Sequence, residues 1–308
     1  MHIRPLIPEL AEKARVELNE DPKRIESDLQ HIKEWLSKQS HLRARTDDQW
    51  LLAFLRACKH SLERTKEKLD LYYSMRTLAP EFFSLKITED AFNQILESGA
   101  IVILPKLSSP DGERVVIYRP GLIDAENYKI TDFIGVSNAM QRILLVEDDN
   151  TVVSGIRTIM DWEGLSMSFF LQVTPSLMKK MAVFSQDASP LRFKGGHYVN
   201  VGGGFEKIFN AMKVFLNEKT KSRLYVHNKN FDELYKTIPK EILPVEYGGN
   251  GGTIPEITAA WKKKLLEYKD WLAEEESFGS DESKRPGKPK TAEEMFGVEG
   301  SFRQLEFD

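Results

Sequence analysis

Near residue 90 the apolar pattern of this sequence changes period, and that change limits the folds open to the chain. Upstream, apolar residues recur at helical spacing. Residues 8–18 make a short amphipathic stretch, and Asp21-Pro22 has the form of an N-cap followed by proline at the first helical position. Ile25, Leu29, Ile32, Trp35 and Leu36 share one helix face. Trp50, Leu51, Phe54 and Leu55 share another behind Thr46-Asp47-Asp48. Ser61 opens a fourth helix that packs Leu62, Leu69, Tyr72, Tyr73 and Met75, and Pro80 ends it.

Downstream, short β-branched runs alternate with helices. Residues 100–104 and 114–118 read as strands around the turn Ser109-Pro110-Asp111-Gly112. A helix is predicted over 131–150, a buried strand over 151–162, and a helix from Thr174-Pro175-Ser176 to residue 187. Strands over 197–201 and 222–227 flank a helix over 205–216, and 255–272 is a last amphipathic helix. This alternation predicts an α/β fold, a mixed but mostly parallel sheet covered by helices, behind a small all-α region. The expected divisions are 1–85, 86–272 and an acidic tail over 273–308. The Ser, Gly, Pro, Lys and Asp of 277–289 predict disorder there; Phe296, Phe302, Leu305 and Phe307 break that pattern and either dock on the body or, as the simpler expectation, are scattered apolar residues of a solvated tail.

Hydrophobic residues at 41% and charged residues at 29% fit a soluble globular chain. The run over 100–104 falls far short of the ~20 apolar residues of a membrane-spanning helix, and the N-terminus has no secretory apolar stretch. The single Cys58, expected to be a small buried helix residue, excludes an internal disulfide and fits a reducing, cytoplasmic setting. Net charge is -4, but ten acidic and five basic residues fall from Ala273 onward. The near-neutral remainder argues against a general nucleic-acid binder.

Catalytic patterns are missing. His2, His31, His41, His60, His197 and His227 form no HExxH and have no cysteine at zinc spacing, so no metal site is expected. Ser166 has Ser168 where a nucleophile elbow needs its second glycine. The glycines at 202–204 and 248–252 match neither a Walker loop nor a dinucleotide fingerprint and read as turns. Asp148, Asp149, Asp161 and Glu163 read as turn or structural carboxylates. Neither an enzyme nor a cofactor is expected.

Two patterns point elsewhere. Ile156, Met160, Phe169, Leu171, Met178, Met181, Phe184, Leu191 and Phe193 crowd one central stretch, with the flexible and aromatic character that suits a greasy cavity as well as an ordinary core. Arg192 and Lys194 stand two apart on an extended segment, and Lys219 and Arg223 four apart. If the two segments adjoin, four cations converge as a polyphosphorylated head group requires; otherwise they are a solvated charged face.

Several strings stand in a recognisable order: WLLAFLRAC from Trp50, IMDWEG from Ile159, TPS from Thr174, PLRFK from Pro190, HYVN from His197, FLNEK from Phe215 and LPVEYGG from Leu243. Over about residues 25–270 the chain resembles the CRAL-TRIO family, in an invertebrate-like version of the branch of tocopherol-transfer and retinaldehyde-binding proteins. The resemblance implies a non-catalytic carrier. One hydrophobic lipid, tocopherol-, retinoid- or similar isoprenoid-like, would sit in a closed cavity gated by the helix over 176–187. Pocket positions carried over are Ile156, Met160, Met181, Phe184 and Leu191, with Phe133 and Ser137 across an alignment gap; Phe169 and Leu171 join them from the central stretch. The family's phosphoinositide-binding cations fall on Arg192, Lys194, Lys219 and Arg223. Its further arginine, two residues after Arg56, is Cys58 here, and the adjacent Lys59 is the expected substitute. The implied partners are a small hydrophobic lipid and, transiently, an anionic membrane surface, for a monomeric chain. Two alternatives stay open: a phosphatidylinositol or phospholipid exchanger, and a lipid-sensing scaffold whose tail recruits a protein.

Overall fold

A computed structural model describes residues 3–297, so Phe302, Leu305 and Phe307 lie outside the described residues. The helical region begins with α1 (Pro8–Leu18), α2 (Ile25–Ser37), the short strand β1 (Leu42–Arg43), α3 (Asp48–Ala57) and α4 (Leu62–Leu78). Asp21 turns the chain instead of capping α2: its Oδ1 accepts from Lys23 N at 3.0 Å, and the helix starts only at Ile25. Trp50, Phe54, Tyr72 and Tyr73 are all but fully buried where α3 meets α4, as their spacing predicts. Pro80 opens a single 3-10 turn, Pro80–Phe82.

The α/β region follows as α5 (Asp90–Glu97), β2 (Ile101–Ile103), β3 (Arg114–Tyr118), α6 (Ile130–Glu147), α7 (Asp149–Val153) and β4 (Ile156–Asp161). Next come α8 (Met167–Gln172), α9 (Pro175–Val183), β5 (Phe193–Val199), α10 (Phe205–Lys213), α11 (Glu218–Lys221), β6 (Leu224–Asn228), α12 (Phe231–Tyr235) and α13 (Ile254–Glu267). The last elements are α14 (Lys269–Glu274), β7 (Gly279–Ser280) and α15 (Ala292–Phe296). The five-stranded sheet runs β2-β3-β4-β5-β6, antiparallel at β2-β3 and parallel thereafter. This is the mixed, mostly parallel α/β sheet that the alternation predicts, each parallel pair being joined through helices.

Two expectations change. The strand predicted over 151–162 is shorter, because its first residues form α7. Gly155 makes the break at φ 94, where a Cβ would lie 2.2 Å from the Arg192 carbonyl oxygen. Only glycine lets the segment before β5 approach so closely.

Nor is the tail a solvated one as far as Gly297. β7 pairs with β1, Glu275 is fully buried, and Phe296 is 2% exposed. Composition concealed this because polar side chains anchor the segment. Arg45, Arg76 and Arg142 reach the Glu275 carboxylate at 2.6, 3.2 and 3.4 Å.

Candidate functional site

The register across the sheet aligns Tyr118, Met160 and Tyr198 in one row, and Val116, Thr158, Gly196 and Leu224 in the next. The alternate row, Ile117, Ile159, His197 and Tyr225, faces the other side. On the central strand β4, Ile159 is 0% exposed, yet Thr158 and Met160 are only half-buried. Above their face, α6 brings Phe133, whose ring centroid lies 5.9 Å from that of Tyr118, and Ser137, whose Oγ is 3.1 Å from the Tyr118 hydroxyl. Gln141 Nε2 donates to the Tyr118 hydroxyl at 2.7 Å and to Ser137 Oγ at 3.0 Å. Burial pushes the Tyr118 phenol up, so this polar cluster stays neutral. Phe205 and Phe209 of α10 close on Tyr198, with centroids 5.6 and 5.0 Å away.

α9 packs against the N-terminal helices. The Thr174 hydroxyl caps it by accepting from Leu177 N at 3.2 Å, and Pro175 occupies its first position. Leu177, Met178 and Ala182 are buried and Met181 half-buried. The helix ends in a π turn, Phe184–Ala188. A cleft of ≈ 370 Å³ opens between the starts of α6 and α9, edged by Ile130, Gln172, Ser176 and Leu177.

The predicted pocket residues do not form one set. Phe133 and Met160 pack with the sheet, Ser137 is tied to Tyr118, and Ile156 is buried at the start of β4. Phe169, Met181, Phe184 and Leu191 pack in an apolar cluster shared with the N-terminal helices. The Phe184 ring lies 5.4 Å from that of Phe83 and 6.3 Å from that of Tyr72, which seats it on the helical region. Leu171 is corrected: it is 78% exposed. Two residues on a helix turn about 200°, so once Phe169 faces inward Leu171 faces solvent.

The cations do come together. A bulge between β4 and β5 leaves Lys194 without a strand partner, because Ile156 pairs with Phe193 and Arg157 with Gly195. Lys194 instead joins Arg192 at the carboxylate of Glu17 on α1, at 3.5 and 2.9 Å. Arg223 Nη1 donates to the Phe193 carbonyl at 2.5 Å, which ties β6 to the same segment. Burial, then the positive charges of Arg223, Lys59 and Arg192, holds the Lys219 ammonium below the usual lysine range. Burial and Arg192 do the same to Lys194. Lys59 reaches this group because Lys59 and His60 are left-handed, at φ 53 and 57. That turn sends Lys59 outward while Cys58 and His60 stay buried, Cys58 as expected. Arg56 is committed elsewhere, to Glu20 at 2.6 Å.

The CRAL/TRIO domain description matches residues 97–249, and the Pinta-like UBA domain description matches residues 21–88. The human alpha-tocopherol transfer protein-like is 35% identical over 272 residues, 88% of this chain and 78% of the relative. The chain belongs to the CRAL-TRIO family. Rat clavesin-2 is 30% identical over 265 residues, 85% of this chain and 80% of that one. Among solved structures, Sfh5 shares the fold at a TM-score of 0.50 and 13% identity, covering 87% of this chain and all 100% of that one. Like its relatives, this CRAL-TRIO chain carries a lipid-binding fold. Among its described residues no helix is long and apolar enough to cross a membrane. Sequence reading missed Tyr118, Gln141, Tyr198 and Phe209 at the CRAL-TRIO sheet face. Ser137 and Gln141, one helical turn apart, were the available signal.

Proposed function

We propose that this chain carries one hydrophobic lipid between the sheet face and α9, hands it between membranes, and docks on phosphoinositide through Arg192, Lys194, Lys219, Arg223 and Lys59. One observation carries the first part: Thr158 and Met160, at the centre of a covered sheet, are half-buried while Ile159 behind them is fully buried. A covered face that stays accessible is a face with room above it. The apolar wall and the Tyr118–Ser137–Gln141 cluster suit a lipid with one small polar group, such as a phenol, alcohol or carbonyl of isoprenoid type. A phosphodiester would need cations inside.

Burying 300 Å² of such a ligand would be worth roughly 7 kcal/mol, which makes unaided release slow. Docking then supplies the release step. The cations stand directly after α9 in the chain, and the mutual repulsion at Lys219 is what a polyanion relieves. α-Tocopherol transfer between phosphatidylcholine vesicles, with and without phosphatidylinositol bisphosphate in the acceptor, tests this. The combined Arg192→Ala and Arg223→Ala variant is expected to keep basal transfer and lose the stimulation. Undiminished stimulation removes the docking reading.

A further inference from the structure

The three arginines around Glu275 are unequally satisfied. Arg45 has two further carboxylates, Asp47 at 3.2 Å and Glu274 at 3.0 Å. Arg76 also donates to the carbonyls of Glu275 and Phe278. Arg142 has least. Its Nη1 reaches the Glu275 carboxylate at 3.4 Å, its Nε donates to the Asn138 carbonyl at 3.3 Å, and its Nη2 meets no acceptor among the described residues. Yet the side chain is only 8% exposed. Burial and the neighbouring charge of Arg76 outweigh Glu275 and hold the Arg142 guanidinium below the usual arginine range. A buried donor without an acceptor is costly, and a charged one more so. Arg76 and Arg142 both line a cavity of ≈ 90 Å³ bounded by α4, α6, α14 and residues 83–88. Phe83, Ile87 and Leu272 form apolar walls, and the exposed Lys86, Lys269 and Glu276 border it. Four cations and one carboxylate thus line the cavity, and that carboxylate, Glu276, is already paired with Lys86 at 2.9 Å.

We propose that this cavity binds a small organic carboxylate on Arg142 and Arg76, and that the bound anion ties α4, α6 and α14 together. Arg76 and Arg142 share one carboxylate, so the pair lacks one negative charge, which fits a monoanion. A guanidinium meets a carboxylate through parallel N–H groups, and the free amino group of Arg142 is available for that. Phe83, Ile87 and Leu272 offer no donors to the further oxygens of an inorganic phosphate, but they suit a short hydrocarbon body. The volume matches about three water molecules, which limits the guest to a few non-hydrogen atoms and excludes a membrane lipid. None of Arg192, Lys194, Lys219, Arg223 and Lys59 lines the cavity, so the site stands whether or not the chain docks on phosphoinositide.

Saturation-transfer NMR on the full-length chain tests the site with sodium butyrate, and with neutral butyramide as the control of equal shape. Transfer to butyrate is expected to be at least about fivefold stronger than to butyramide, with acetate competing. Chloride and inorganic phosphate, at equal ionic strength, are expected to compete at least about tenfold more weakly than acetate. Arg142→Gln is expected to weaken butyrate about tenfold or more. Should that variant fail to fold, Ala273→Trp decides. Ala273 is exposed on α14 and lines the cavity, so an indole there blocks the site from outside the core, and the butyrate signal is expected to vanish. The combined Arg192→Ala and Arg223→Ala variant is expected to bind butyrate like wild type. In hydrogen exchange, saturating butyrate is expected to slow the α14 amides several-fold and leave β5 unchanged. The proposal is overturned by equal transfer to butyrate and butyramide, by no transfer to either, or by phosphate competing as well as acetate. A butyrate signal that survives Ala273→Trp, or one lost with Arg192 and Arg223, overturns it too, and unchanged α14 exchange removes the tie.

Discussion

Glu17 pairs with both Arg192 and Lys194, where the docking reading would put a phosphate. Burial opposes its charge, but Arg192 and Lys194 still hold its carboxyl below the ordinary range. A phosphoinositide must displace or outbid that carboxylate, so Glu17→Gln is expected to bind bisphosphate-containing vesicles about three- to tenfold more tightly, measured by vesicle flotation. Weaker binding would mean that Glu17 orders the site instead of guarding it. His197 offers a second test. Burial first, then the positive charges of Arg157 and His227, holds its imidazole down to about 4. The unfolded chain takes up that proton near 6.5, so the folded state loses stability as pH falls from about 6.5 to about 4 and is unaffected above. A shift of this size amounts to on the order of 3 kcal/mol, and His197→Gln is expected to flatten that limb of the melting temperature against pH. At this scale the cations were legible because two-residue and four-residue spacings survive folding. The bulge that redirects Lys194 was not, since nothing in PLRFKGG states which residue the neighbouring strand will skip. Tyr118 was hidden for a related reason: the unbroken apolar run Val115–Tyr118 of β3 does not declare which of its faces meets a helix.

Elements reveal how a polar segment can be structural. Glu275 gathers Arg45 from the loop before α3, Arg76 from α4 and Arg142 from α6 into one buried ion cluster. Removing its charge leaves buried guanidinium groups without their anion, so Glu275→Gln is expected to cost about 3–5 kcal/mol in urea unfolding. A cost below about 1 kcal/mol would show that the cluster is solvated in practice. α8 gives a paired control at the same scale. Phe169→Ala is expected to destabilise by about 3 kcal/mol and Leu171→Ala by less than about 0.5, because one side chain is 7% and the other 78% exposed. The inclusion of Leu171 rests on the apolar crowding of one stretch, with no helix period to say which way it faces, and four of the six residues of α8 are apolar. The helical and α/β elements themselves were legible because their apolar periods are long. The seating of residues 275–297 was not, because its anchors are Asp70, Ser74 and Thr77, roughly 200 residues away in sequence and invisible to local composition.

Across the whole molecule, the helical region and the α/β region are joined by more than a linker. One apolar cluster runs from Leu29 through Tyr72, Phe169 and Leu177 to Phe296, so α9 packs against the N-terminal helices while its neighbour α6 also serves the sheet. Thr158, Met160 and Gln141 beside the sheet and Met181 on α9 are only half-buried. On the carrier reading the lipid lies against these residues, with the cations following α9 in the chain. Organic extraction of the natively purified, full-length chain, followed by mass spectrometry of the extract, tests that placement most directly. A single apolar lipid class with one small polar group, near one molecule per chain and lost when Met160→Trp fills the sheet face, is the predicted result. An extract without lipid, from protein that also takes up none from vesicles, would contradict it.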